Sequence, residues 1–311
     1  MKDFRNIIFV LVVVVFLLQM YVSREDAKLE AQNTKPAIAL STFALYDIAK
    51  SISQETLDLV MILPLGVDAH SFEPTPKLMA KILGSELIVY SGAGLEPWTK
   101  SFEFKSKVID MSKSVKLLEP DAEDEHEEHA HEHGDETVDP HYWLDIQNMI
   151  IATQLISKEF RELSPANADL YKSNSEKYIE KLQSIDAKYK QALQECTKET
   201  IIVNHNAFSY LSSRYGFHVE ALSGLSPDAQ PSAKSMVNLI EHVREYDVKT
   251  VFFESFVSDK AMKSIALEAK VSVDVLQPLG NITVDEAEQN LSYEDIMLVN
   301  LEKISKALEC K

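Results

Sequence analysis

Short apolar runs rich in β-branched residues recur along the chain, and helix-like sequence follows most of them. Runs at 36–42, 57–63, 86–90 and 107–111 come first; others follow at 200–203, 217–222, 249–254 and 271–276. Helical patterns fall at 43–53, from Pro76 to about Leu83, at 145–162, and later at 206–214, 232–246, 259–269 and 293–309. Parallel strands cannot be joined by a tight turn, so this alternation predicts mostly parallel sheets with helical crossovers. It is interrupted once. Residues 166–195 read as one long helix, with Tyr171, Tyr178, Leu182, Ile185, Tyr189 and Leu193 on a single apolar stripe. At 1.5 Å per residue such a helix would reach about 45 Å, enough to join two lobes.

The expected architecture is therefore α/β, with two Rossmann-like lobes of parallel sheet joined by a long rigid helix. The first lobe is expected over 33–165, the helix over 166–195 and the second lobe over 196–311. A chain of 311 residues has room for both. Before them, Lys2 and Arg5 precede the apolar stretch Ile7–Leu18. That is the pattern of an export signal, or of an N-terminal anchor if the segment is retained through Val22. Either reading places the rest of the chain outside the cytoplasmic membrane.

The formal net charge of −18 argues against nucleic acid as a partner, because phosphates would be repelled. Nine of the acids, half of that net charge, lie within residues 121–136, DAEDEHEEHAHEHGDE, which hold no Lys or Arg. That composition cannot pack a core, so a disordered loop is expected there. Its His126, His129, His131 and His133 suit weak, multiple binding of metal. Among the eight glycines no G-x-G-x-x-G or Walker pattern occurs, so a nucleotide site is unsupported. Cys196 and Cys310 are far apart in sequence; in an exported protein they can pair, and two free thiols are the alternative.

Three other histidines stand where an α/β fold presents ligands. His205 ends the run Ile201-Ile202-Val203-Asn204 and precedes helix-like sequence. His70 follows the run 57–63, and His141 lies in Asp139-Pro140-His141-Tyr142-Trp143-Leu144-Asp145. In open α/β sheets, ligands bind beyond the carboxyl ends of the strands. Neutral imidazole suits zinc and other borderline metals. A metal held by His70, His141 and His205 would sit in the cleft between the lobes. His218 and His242 lack such a setting, and Tyr142 and Trp143 are expected to pack the cleft wall.

Several segments carry a resemblance: His70-Ser71-Phe72-Glu73-Pro74 with Pro76, Gly94-Leu95-Glu96-Pro97-Trp98, Asp139 to Asp145, His205-Asn206-Ala207-Phe208, and Tyr293…Asn300-Leu301…Leu308. In this order they resemble the periplasmic zinc-binding proteins of bacterial ABC importers, part of a metal-binding solute-binding family that also contains manganese binders. The resemblance covers most of 36–311. It implies a periplasmic, monomeric receptor that delivers Zn2+ to an ABC permease, without enzymatic activity. It also implies that a third histidine, here His205, marks a zinc-type rather than a manganese-type site.

The fourth ligand position departs from the family pattern. Gln277 stands where Asp is frequent, and Ala69 stands where some zinc proteins have Glu. A water, or a residue of the mobile loop, is expected as fourth ligand, with Gln277 a candidate to hydrogen-bond that water. Glu254, at the end of 251–254, is a candidate to hold a ligand imidazole, with helix capping as its alternative role. Two other functions remain open. Three histidines and a water also form a catalytic zinc arrangement, with Glu73 or Glu254 as base, although H-E-x-x-H is absent. An adhesin or metal buffer could be built on the same scaffold.

Overall fold

The structure is a computed structural model that describes Gln19 and residues 35–118, 138–225, 232–255 and 259–311. The export signal or anchor expected over 1–22 lies, Gln19 apart, outside the described residues, as does the acidic loop 121–136 with its four histidines. Two compact units divide the chain at Pro36, and everything below concerns the second, Ala37–Lys311. Among the described residues no helix is long and apolar enough to cross a membrane.

Two parallel four-stranded sheets form, as the alternation predicts. The first contains β1 (Ala37–Leu40), β2 (Asp58–Met61), β3 (Leu87–Tyr90) and β4 (Lys107–Asp110), in the order β2-β1-β3-β4. The second contains β5 (Thr200–His205), β6 (His218–Ser223), β7 (Thr250–Glu254) and β8 (Ser272–Leu276), in the order β6-β5-β7-β8. The helices are α1 (Phe43–Ser53), α2 (Pro76–Leu83), α3 (Ile146–Leu163), α4 (Ala168–Ala192), α5 (Ser209–Tyr215), α6 (Ala233–Glu245), α7 (Lys260–Ala269), α8 (Val284–Glu288) and α9 (Tyr293–Ala307). In both sheets the chain reverses its winding beside the first strand. That reversal opens a crevice at the carboxyl ends of β1 and β3, and another at those of β5 and β7.

Local chemistry accounts for the element ends. Thr75 caps α2 by accepting from the Leu78 N–H, and Pro76 opens it, where a missing N–H costs nothing. Asp145 caps α3 in the same way through the Gln147 N–H. Residues 166–195 are not helical throughout. A 3-10 turn at Pro165–Asn167 precedes α4, and the helix ends at Ala192. Helix α5 starts at Ser209 rather than 206, because the Ser209 hydroxyl donates to Asn206 Oδ1 and holds the preceding turn. Helix α8 was not anticipated, although its capping box, Thr283 with Glu286, is readable as T-x-x-E.

One core runs from the first lobe through α4 to the near face of the second sheet. Strand β5 shows how. Ile201 and Val203 face this core, while Ile202 faces a smaller one with Leu239, Val243, Met262 and Ile265. The tyrosines on α4 bond to both lobes. Tyr171 shares a hydrogen bond with Thr56, Tyr178 donates to Asp47, and Tyr189 donates to the Met297 carbonyl. A disulfide joins Cys196 to Cys310, so the start and end of the second lobe are tied.

Candidate metal centre

His70, His141 and His205 converge, and among the described residues they form the one group of three or more His, Cys or carboxylate side chains spaced to hold an ion. They arrive from different elements. His205 is the last residue of β5, at the crevice of the second sheet. His141 opens the 3-10 turn Tyr142–Leu144 ahead of α3. His70 sits in the segment 62–75, which contains neither helix nor strand. His141 and His205 are buried and His70 is partly exposed.

Carboxylates orient the rings. Asp139 Oδ1 accepts from both the backbone N–H of His141 (2.9 Å) and its Nδ1 (2.8 Å). A carboxylate accepts only, so Nδ1 carries the proton and Nε2 presents a lone pair. The Glu254 carboxylate, at the end of β7, is set against His205 Nδ1 and has the same effect. His141 Nε2 lies 3.4 Å from His70 Nε2 and 3.4 Å from His205 Nε2. Two ring nitrogens that both present lone pairs repel each other unless a cation lies between them. A tetrahedron around an ion about 2.0–2.1 Å from each nitrogen has an edge of about 3.4 Å. The two edges at His141 therefore fit an ion of zinc's size, and the three ligand atoms all lie within 4.8 Å of one another.

Electrostatics act on the rings in opposite directions, and the metal must displace a proton that Glu254 helps His205 to keep. Burial, and then the neighbouring His141 and His205, hold the His70 pKa well below the ordinary histidine value, so it is a neutral donor at pH 7. Burial also pulls His205 down, but Glu254, with Asp68 and Asp139 beyond it, outweighs burial and holds it above the ordinary value. The space between the rings is about 20 Å³, enough for one water-sized occupant. Its wall includes Asp68, Leu95, Trp143 and Asn281. Trp143 donates through Nε1 to the Pro278 carbonyl and stands edge-on to His141, with ring centroids 5.4 Å apart. Tyr142 is wholly buried behind it.

Gln277 is not brought to the cluster. Its amide Nε2 donates to Glu286 Oε2 (2.8 Å) and to Ser255 Oγ (3.3 Å), and its Oε1 accepts from the Leu279 N–H (3.3 Å). It is a loop amide bonded within its own lobe. Glu254 turns towards His205, not towards a helix terminus. His218 is exposed at the start of β6, and His242 pairs with Glu220 (3.1 Å), away from the cluster. Glu73 is exposed. Two residues were missed from sequence alone. Asp68 and Asp139 each stand two residues before a ligand histidine, and each accepts that histidine's backbone N–H. The repeated D-x-H was the available signal.

The family model described as "Zinc-uptake complex component A periplasmic" matches residues 38–307. The chain is 32% identical over 289 residues to "High-affinity zinc uptake system protein ZnuA" of Bacillus subtilis, covering 91% of this chain and 90% of that protein. To "Zinc-binding protein AdcA" of Streptococcus pyogenes it is 31% identical over 294 residues; that covers 90% of this chain but only 57% of AdcA, so the chain spans little more than half of that relative. Among solved structures it is similar to the laminin-binding protein Lmb of Streptococcus agalactiae, described as bifunctional, with adhesin and metal transporting activity. The TM-score is 0.79 at 28% identity, over 88% of this chain and 100% of that one.

Proposed function

Because the chain belongs to the periplasmic zinc-uptake component A family, we propose that it is an extracytoplasmic receptor that captures Zn2+ and delivers it to an ABC permease. One observation carries the reading. The Nε2 atoms of His70 and His205 each lie 3.4 Å from His141 Nε2, and carboxylates hold the Nδ1 sides of His141 and His205. Histidine nitrogen favours zinc over manganese, which prefers oxygen ligands. His70, His141 and His205 are the proposed ligands, with a water as fourth. Asp139 and Glu254 supply negative charge behind the imidazoles and partly offset that of the ion. Zinc is the cargo, so it must leave as well as bind, and a site short of carboxylate ligands suits that need.

The protein is read as an exported monomer and not as an enzyme. Glu254 and Asp139 are already engaged with imidazoles, which disfavours either as a general base. Lmb, one of the similar structures, combines adhesion with metal transport, and this chain's site speaks only to transport. The test is growth of a strain lacking this protein under zinc chelation. Wild-type protein should restore growth and His205→Ala should not. Restoration by His205→Ala, or hydrolysis of generic esters or phosphoesters by the zinc-loaded protein, would refute the reading.

A further inference from the structure

After β8 the chain crosses to the first lobe as the segment Pro278–Ile282. Asn281, 2% exposed, commits both amide hydrogens there: Nδ2 donates to the Pro64 carbonyl (2.6 Å) and the Val67 carbonyl (2.7 Å). Its Oδ1 accepts from the Ile282 N–H (2.8 Å), which fixes the direction of the amide. Gly66 N–H then donates to the Ile282 carbonyl (2.8 Å), from a φ of +73° that glycine adopts without strain. The clasped turn, Pro64–Val67, runs directly into Asp68 and His70. Since 62–75 contains neither helix nor strand, its position depends on such tertiary bonds.

The chemistry is specific to an amide. One nitrogen with two hydrogens can reach two carbonyls at once, whereas a carboxylate would oppose oxygen to oxygen. Loss of the side chain removes a donor from both part-buried carbonyls, and only that of Pro64 keeps a second one, the Val67 N–H (3.2 Å). The other two ligands are held differently. His141 and His205 are oriented by Asp139 and Glu254, both buried, and neither hold passes through Asn281.

We propose that Asn281 is the positioning residue for His70, acting from the opposite lobe, and that zinc release begins when this clasp opens. With the clasp broken, His70 swings away while His141 and His205 stay in place, and a three-histidine site becomes a two-histidine site. This rests on the zinc-receptor reading above.

A double-mutant cycle tests it: wild type, Asn281→Ala, His70→Ala and the double variant, full-length and folded by circular dichroism. Zinc affinity is measured against a weak competing chelator, so that the two-histidine site stays in range, and release is timed by chelator chase. In the wild-type background Asn281→Ala should weaken zinc about 10–100-fold and speed release, the effect typical of removing a support behind a ligand. In the His70→Ala background it should cost about twofold or less, because its effect passes through His70. Equal losses in both backgrounds would mean a general structural role and overturn the proposal, as would no loss in either. If Asn281→Ala does not fold, Asn281→Ser enters the same cycle with the same expectations. Failure of the zinc-receptor reading looks different: wild type and His70→Ala would then bind zinc alike.

Discussion

The crevices at the ends of the two sheets have the same topology, and each contains a buried carboxylate, but only the second sets a histidine, His205, against it. In the first, Glu96 accepts from the Ser91 N–H (2.8 Å) and the Gly92 N–H (2.9 Å), while the Ser91 and Thr42 hydroxyls meet at 3.1 Å. The crevice is filled by the chain's own groups, and the charge stops at backbone amides. In the second, Glu254 faces an imidazole, whose far nitrogen carries the effect of that charge into the cavity. The fold supplies a crevice at both places, and the partner of the carboxylate decides whether it does chemistry.

The largest difference between the crevices should appear when the imidazole is removed. Structural zinc sites with four ligands are worth about 10–16 kcal/mol, so one ligand accounts for roughly 2.5–4. His205→Ala should therefore lower zinc affinity by about 10²–10³-fold in a competition titration. Glu254→Gln keeps the ligand and removes the charge behind it, and a loss of about 10–100-fold is expected. Asp139→Asn should match it. If Glu254→Gln bound zinc as wild type does, the contrast between the two carboxylates would collapse.

Glu96→Gln should leave zinc affinity unchanged and alter stability instead. Burial raises the Glu96 pKa from 4.5 to about 7, against the lowering effect of its hydrogen bonds with Ser41, Gly92 and Ser91. The folded form then binds more protons than the unfolded chain between those two values, so this contribution is full below the lower one and is lost as pH rises towards 7. The melting temperature of wild type relative to Glu96→Gln should fall from pH 5 to pH 8. A rise would contradict the raised pKa of Glu96, and a change in zinc affinity would tie Glu96 to the metal site.

The architecture was legible because its signals are local. The β-branched runs became parallel strands, fully buried at Ile38–Leu40 and Leu87–Val89, and Tyr171, Tyr178 and Tyr189 formed the buried stripe of α4. The three histidines could be picked out by their places near strand ends and in loops. Their supports were harder to read. Asp139 acts across two residues, but Glu254 meets His205 only because β7 pairs beside β5. Gln277 was misleading for the same reason: its amide is used by Glu286 on an unanticipated helix. Asn281 reaches a loop more than 200 residues earlier in the sequence, which no local pattern records.

The most direct measurement is a zinc titration, with a competing chelator, of metal-free protein lacking residues 121–136. Without His126, His129, His131 and His133 only the cleft remains to bind tightly. One tight zinc, undisplaced by equal manganese and lost in His205→Ala, is the predicted result. No tight site, tighter manganese binding, or full affinity in His205→Ala would contradict a zinc site built on His70, His141 and His205.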